Sequence, residues 1–231
     1  MKVRLTSDGS RTLYSDLVGE SYHSESGAWS ESQVVYLKNS GAAGRLEAGL
    51  PTRILEIGLG TGLNLLATAD VAVEHNARLE YVGVDIRRLP ANTVRELGFQ
   101  SLLIHRGLVN AWLKFLEQPR SDGQQFEWVK GIWLTPICGA AEILVPESRL
   151  FVTESFDLVY HDAFSPVASP ELWTAAFLSQ LHRILKQGGK LTTYCVKSEI
   201  QKRMEQAGFR VQCVPGPEGG KRQVLVAEKT G

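Results

Sequence analysis

Residues 54–64 read Ile-Leu-Glu-Ile-Gly-Leu-Gly-Thr-Gly-Leu-Asn, and no other stretch restricts the fold as tightly. A β-favouring run ends in three alternating glycines, Gly58, Gly60 and Gly62, and a helical pattern follows. A strand that breaks into a glycine turn and then a helix forms a nucleotide-type binding edge. The glycines admit positive φ and remove the Cβ atoms that would hold a ligand away from the backbone, and the helix start offers free N–H groups. The dinucleotide fingerprint requires its last glycine one position later, where Leu63 stands, so a dinucleotide dehydrogenase is the weakest reading.

The rest of the chain repeats the alternation this edge demands. Arg53–Ile57 reads as a strand, Leu63–Glu74 as a helix and Glu80–Asp85 as a second strand, the length of one βαβ crossover. A helical segment runs to about Leu97, and another spans residues 107–117. Ser121–Lys130 is polar, contains one glycine and reads as a loop. Ile132–Ile137 is a third strand, with a short helix at Ala140–Val145. Phe156–Tyr160 is a fourth, apolar enough to be buried on both faces. Pro170 opens an amphipathic helix to about Leu185, ended by Gln187-Gly188-Gly189. Leu191–Val196 is a fifth strand and Glu199–Ala207 a helix. Phe209–Val214 and Val224–Glu228 are the last two strands; with no helix between them they pair antiparallel. The expected fold is therefore α/β: a doubly wound, mostly parallel seven-stranded sheet with an antiparallel last strand. Residues 1–50, with a hairpin turn at Asp8-Gly9 and a helix near 29–38, form a small extension packing on a core domain of 51–231.

Composition narrows the partners. Twenty-five basic and 25 acidic residues balance, so nucleic acid must be held by a local patch rather than a global field. No apolar run spans a bilayer and no signal peptide opens the chain, so a cytoplasmic protein is expected. Cys138, Cys195 and Cys213 are far apart and lie in apolar, strand-like surroundings, which points to packing; the histidines are scattered, and no metal site is expected.

Several polar residues stand where such a sheet binds ligands. Asp85 ends the second strand, where a carboxylate can accept from both hydroxyls of a ribose. Glu56 lies inside an apolar strand, and two roles fit it: meeting the ammonium of a bound amino-acid moiety, or bracing the loop. Asp162, in Tyr160-His161-Asp162-Ala163-Phe164-Ser165-Pro166, follows the strand expected beside the first, so its turn faces the reacting centre. A carboxylate there stabilises positive charge on an attacking amine and takes its proton. Phe164 suits stacking on a flat base and equally suits plugging a core. Lys221-Arg222, with Lys197, Lys202 and Arg203, is a candidate phosphate-contacting patch, and Tyr22-His23-Ser24 is too polar to read as core.

The Gly-x-Gly-x-Gly loop with Glu56 resembles motif I of S-adenosylmethionine (SAM) methyltransferases. Nearly the whole chain is similar to the methyltransferase domain of the bacterial tRNA 5-methylaminomethyl-2-thiouridine biosynthesis enzymes, the MnmC family. The matching blocks are Tyr22-His23-Ser24 with Gly27-Ala28 and Glu31; Glu56 to Asn64; Asp162–Pro166 with Pro170 and Trp173; Gly188-Gly189-Lys190-Leu191; Ala207-Gly208-Phe209; and Gly220-Lys221-Arg222. The resemblance implies a Rossmann-like class I SAM methyltransferase that converts 5-aminomethyl(-2-thio)uridine to its methylaminomethyl form at the tRNA wobble position. It implies Asp162 as catalytic carboxylate and Phe164 as base-stacking neighbour. It implies a cofactor site at Glu56, Gly58, Gly60, Gly62, Asn64, Asp85, Gly139 and Ala140, and substrate contacts at Tyr22, His23, Phe164, Lys221 and Arg222. The partner implied is the tRNA anticodon region. A flavin-dependent oxidase domain follows in two-domain members, so a stand-alone transferase is expected here. Two departures stand out. Gly139-Ala140 replaces the family's Gly-Asp, whose acid reads the adenine, with Glu142 two residues on; and residues 115–132 are longer than usual, with Trp128 and Trp133 nearby. Methylation of a small-molecule or protein amine, and a degenerate SAM-binding protein, are the alternatives that the residues leave open.

Overall fold

The computed structural model describes residues 1–118 and 122–230. The chain opens with a three-stranded antiparallel sheet, β1 (Lys2–Leu5), β2 (Arg11–Ser15) and β3 (Glu20–Ser21). Helix α1 (Ala28–Glu31) runs into a π-helical segment, Ser32–Lys38, and α2 (Ala42–Glu47) follows. The core then alternates: β4 (Thr52–Ile57), α3 (Leu63–Glu74), β5 (Leu79–Asp85), α4 (Ala91–Arg95), α5 (Gly107–Glu117), β6 (Phe126–Val129), β7 (Ile132–Cys138), α6 (Ala141–Glu147), β8 (Phe156–His161), α7 (Ala175–Ile184), β9 (Leu185–Thr193), α8 (Ser198–Gln206), β10 (Phe209–Pro215) and β11 (Gln223–Lys229). The main sheet has the order β10-β11-β9-β8-β4-β5-β7-β6. β4 pairs in parallel with β5 on one side and β8 on the other, so strand order reverses beside β4 and opens a crevice at its carboxyl end.

The pleat divides the core in two. Ile54, Tyr81, Leu158 and Tyr160 belong to one apolar cluster, under α3, α5 and the N-terminal helices. Leu55, Ile57, Val82 and Val159 belong to the other, under α6, α7 and α8. Glu56 shares its face with Ile54, which directs its carboxylate towards Tyr81 on the neighbouring strand.

Several expectations need correction. Among the described residues the main sheet has eight strands rather than seven. β6 forms within the segment read as a loop, pairing antiparallel with β7 across a turn at Lys130-Gly131, where Gly131 takes φ 80°. Phe126 and Trp128 pack on the core from that edge, and two aromatics with Val129 outweigh the polar context. Residues 119–121, the last of which opens the expected loop, and Gly231 lie outside the described residues. The helix at 170–185 is two elements, a 3-10 turn at Pro170–Trp173 and α7, whose cap is Thr174 accepting from the Phe177 N–H at 3.2 Å. Gly188-Gly189 does not end that helix; it lies in β9, where the register against β8 shifts between Leu185 and Lys190. Cys138 is exposed and Cys213 half-buried; of the three cysteines, Cys195 alone is buried. No helix among the described residues is long and apolar enough to cross a membrane.

Candidate active site

A cavity of about 660 Å³ opens at the carboxyl ends of β4, β5 and β8. It is bounded by the glycine loop, the turn after β8, the segment before α1 and the turn before β11. Gly58 has φ 94°, and a Cβ there would lie 2.3 Å from the backbone oxygen of Asp162, so the two turns touch only because position 58 is glycine. Gly62 takes φ 80° at the start of α3; a Cβ there would strike the Trp112 indole at 2.5 Å. That indole donates to the Thr61 oxygen at 2.9 Å and holds the loop from beneath.

Asp85 lies across the loop. One carboxylate oxygen accepts from the Gly60 N–H at 2.8 Å and the other from the Arg87 N–H at 3.2 Å. Loss of solvent raises its pKa, opposed by these N–H donors and the Arg87 charge. Glu56 is 1% exposed and accepts from Asn64 Nδ2 and from the Tyr81 hydroxyl, both at 2.8 Å. Burial pushes its pKa up to about 8. Both Glu56 oxygens are therefore engaged within the protein, a bracing geometry.

The Asn64 amide bridges two acids, because Nδ2 also donates to Asp162 at 2.8 Å, while the buried Oδ1 has no hydrogen-bond partner among the described residues. The second Asp162 oxygen accepts from the Tyr36 hydroxyl at 2.5 Å. Desolvation, reinforced by the charges of Glu31 and Glu56, raises the Asp162 pKa well above the usual carboxylate range.

The backbone of the turn after β8 is tied down at each residue. The Asp162 N–H donates to the Ile57 oxygen at 2.9 Å, and the Tyr194 hydroxyl to the Ala163 oxygen at 2.9 Å. The Trp173 indole donates to the Phe164 oxygen at 2.8 Å; the Ser165 N–H donates to Glu20 at 3.0 Å, and the Ser165 hydroxyl bonds the same carboxylate. The His161 ring packs against Trp173 at a 45° tilt, with centroids 4.3 Å apart, and bonds the Leu172 oxygen.

Tyr22 lies over Gly60 and meets Phe164 edge-on, with ring centroids 5.1 Å apart; burial raises the pKa of its phenol, opposed by Arg87. His23 also lines the cavity but is buried against Thr12, and burial lowers its pKa to about 4, so its ring is neutral. Gly139 and Ala140 line the cavity together with Glu142. Lys221 reaches the rim, its ammonium 4.2 Å over the Tyr194 ring. Arg222 is exposed and does not line the cavity, and Arg203, grouped with the basic patch, instead donates to the Trp173 oxygen. The motif reading missed the functional candidates Glu20, Tyr36 and Tyr194; Tyr36 and Tyr194 carry a polar atom in largely apolar segments, and Glu20 in its polar turn has no signal of its own. No group of three acidic, histidine or cysteine side chains that could hold a metal occurs among the described residues.

The sequence profile of a family described as S-adenosyl-L-methionine-dependent methyltransferases matches residues 104–230. The chain belongs to this family. The residues present fit SAM: Gly58 and Gly60 line the cavity without side chains, Asp85 lies beside them, and the orphaned Asn64 oxygen belongs to a residue of the cavity wall. The methyltransferase is 30% identical over 230 residues to a tRNA 5-methylaminomethyl-2-thiouridine biosynthesis bifunctional protein of Burkholderia thailandensis, covering 94% of this chain and 33% of that protein. The same-named protein of Paraburkholderia xenovorans is 29% identical over 228 residues, covering 93% and 33%. The chain thus spans about a third of the curated relatives it matches. Among solved structures, MNMC2 from Aquifex aeolicus superposes with a TM-score of 0.79 at 27% identity, covering 100% of this chain and 71% of that one. Spermidine synthase from Thermotoga maritima, at TM-score 0.53 and 15% identity over 99% and 72% of the two chains, shares the fold alone.

Proposed function

We propose that this methyltransferase converts the amine of 5-aminomethyl(-2-thio)uridine in the tRNA anticodon to a methylamine. The observation that carries the reading is Asp162, a carboxylate without a cation partner among the described residues, set on a clamped turn against the glycine loop, in a chain whose relatives are named for this modification. Asp85 would hold the ribose of SAM, and Asn64, braced by Glu56, its amino-acid end. Gly139, Ala140 and Glu142 border the adenine. SAM supplies a methyl on a positive sulfur; as the N–C bond forms the C–S bond breaks, leaving the thioether and a proton on nitrogen for the protein to remove.

The chain's own residues then do two things. Asp162, its oxygens oriented by Tyr36 and Asn64, faces the charge that grows on nitrogen and accepts the proton. Phe164 and Tyr22 form an aromatic corner on which the wobble base rests, and Lys221 at the rim faces the phosphates. Alignment of amine, methyl and sulfur contributes through the rigid turn. The test is incubation of the purified protein with labelled SAM and tRNA bearing 5-aminomethyluridine. Transfer to the wobble nucleoside is expected, and its absence beside an active control enzyme overturns the reading.

A further inference from the structure

Glu31 stands in the same cavity with no assigned task. It is 5% exposed, yet it lines the cavity wall. Its Oε2 accepts from the Ser24 N–H at 2.8 Å, and its Oε1 has no hydrogen-bond partner among the described residues. A carboxylate buried to this degree is costly unless its second oxygen meets a donor or water in the cavity. The backbone gives it its place. Directly after Glu31 the helix loosens into the π-helical segment, where hydrogen bonds run between residues five apart, as from the Asn39 N–H to the Val34 oxygen at 3.0 Å. That spacing brings Glu31 and Tyr36 to one side, and Tyr36 ends on Asp162. The rare helix thus sets a second acid in the wall of the cavity that Asp162 lines.

The groups facing Glu31 come from every neighbouring element: the Ser24 N–H, Tyr36, Asp162, Tyr194 after β9, and Lys221 before β11. Lys221 does not quench it, because its ammonium rests over the Tyr194 ring and donates to the Tyr194 oxygen at 3.3 Å. Burial raises the Glu31 pKa, with the Ser24 N–H and the Lys221 charge opposing. The Glu31 charge in turn raises the proton affinity of Asp162, so the cavity wall carries two acids that a bound cation would stabilise.

We infer that Glu31 and Asp162 form an alkylammonium subsite in which Glu31 takes the proton that the acceptor must lose before it can attack. The inference rests on the amine-methylating reading above. The step balances: an N–H bond of the ammonium breaks, an O–H bond forms at Oε1, and the electron pair stays on nitrogen. Ammonium and carboxylate become neutral amine and carboxylic acid, while Asp162 is left to face the charge that returns during transfer. Labour is thereby divided between the two acids, one before methyl transfer and one during it.

The experiment is the pH profile of kcat/KM on tRNA bearing 5-aminomethyluridine, for wild type, E31Q and E31D, with SAM affinity measured by calorimetry. E31Q is expected to lose about a hundredfold in kcat/KM at neutral pH. SAM affinity should be unchanged, and the deficit should shrink as rising pH supplies neutral amine from solution. E31D, which keeps the acid but withdraws it by one methylene, should recover part of the loss. Wild-type kcat/KM in E31Q, a deficit constant with pH, or one that follows lost SAM affinity overturns the inference. If E31Q does not fold, E31D alone decides: a reduced and shifted profile is expected, and a wild-type profile is refuting. A wild type that transfers nothing to this tRNA refutes the function reading instead.

Discussion

Asp157 and Asp162 mark the two ends of β8 and live in opposite electrostatic worlds. Asp157, 8% exposed, is met by two cations, Arg45 at 3.0 Å and Lys186 at 2.9 Å, and by the Arg53 backbone N–H at 2.8 Å. Asp162 has a tyrosine hydroxyl, an amide and two further acids, and no salt bridge among the described residues. The same residue type therefore serves two purposes. Where cations compensate the charge, the aspartate ties α2, β4, β8 and β9 together at the amino ends of the strands. Where they are withheld, the carboxylate keeps its appetite for protons and positive charge, at the carboxyl ends where ligands bind.

The comparison can be broken from either side. The largest expected effect is at the reactive end. Asp162→Ala should lower methyl transfer by about a thousandfold or more while SAM still binds; single-turnover rates beside calorimetry check it, and full activity would remove Asp162 from the chemistry. Gly58→Ala comes next. Its Cβ collides with the Asp162 backbone at a φ of 94°, so a loss of about 3 kcal/mol in stability is expected, visible in denaturant melts, together with weakened SAM binding. At the structural end, Asp157→Ala should cost about 2 kcal/mol of stability, because Arg45 and Lys186 are half exposed and partly recover solvent. The rate constant kcat should stay at its wild-type value; a fall would mean the two ends are coupled through β8.

The mildest change is one of slope. The folded protein holds the Glu56 proton up to about 8, whereas the unfolded chain releases it near 4.5. Between those values the native state binds more protons, so raising the pH lowers stability through that window, and the cost is complete above the folded value. Glu56→Gln should flatten this dependence in thermal melts of the ligand-free protein. An unchanged slope would assign the titration to another group.

Much of the site was legible because it is local. Gly58 to Asn64 announces a cradle through backbone conformations that only glycine adopts readily, and Asp162–Pro166 follows an apolar strand whose place beside the first is dictated by parallel crossovers. The sheet's parallel centre and antiparallel last strand follow from helix-length connections and their absence. The edge strand β6 escaped because a four-residue hairpin arm between polar residues gives almost no periodicity. Tyr36 escaped because a tyrosine in an apolar helix looks like core until its hydroxyl finds a partner 126 positions away.

The sequence by itself determined the alternation of strands and helices, the glycine cradle and the positions of its flanking acids, since these depend on local conformation and period. Only the tertiary structure decided which acids are deprived of cations. It alone placed Glu31 and Tyr36 beside Asp162, turned Asn64 into a bridge, and removed Arg222 from the cavity lining. Desolvation and charge compensation depend on neighbours drawn from distant parts of the chain, and proton affinity belongs to that neighbourhood rather than to the residue.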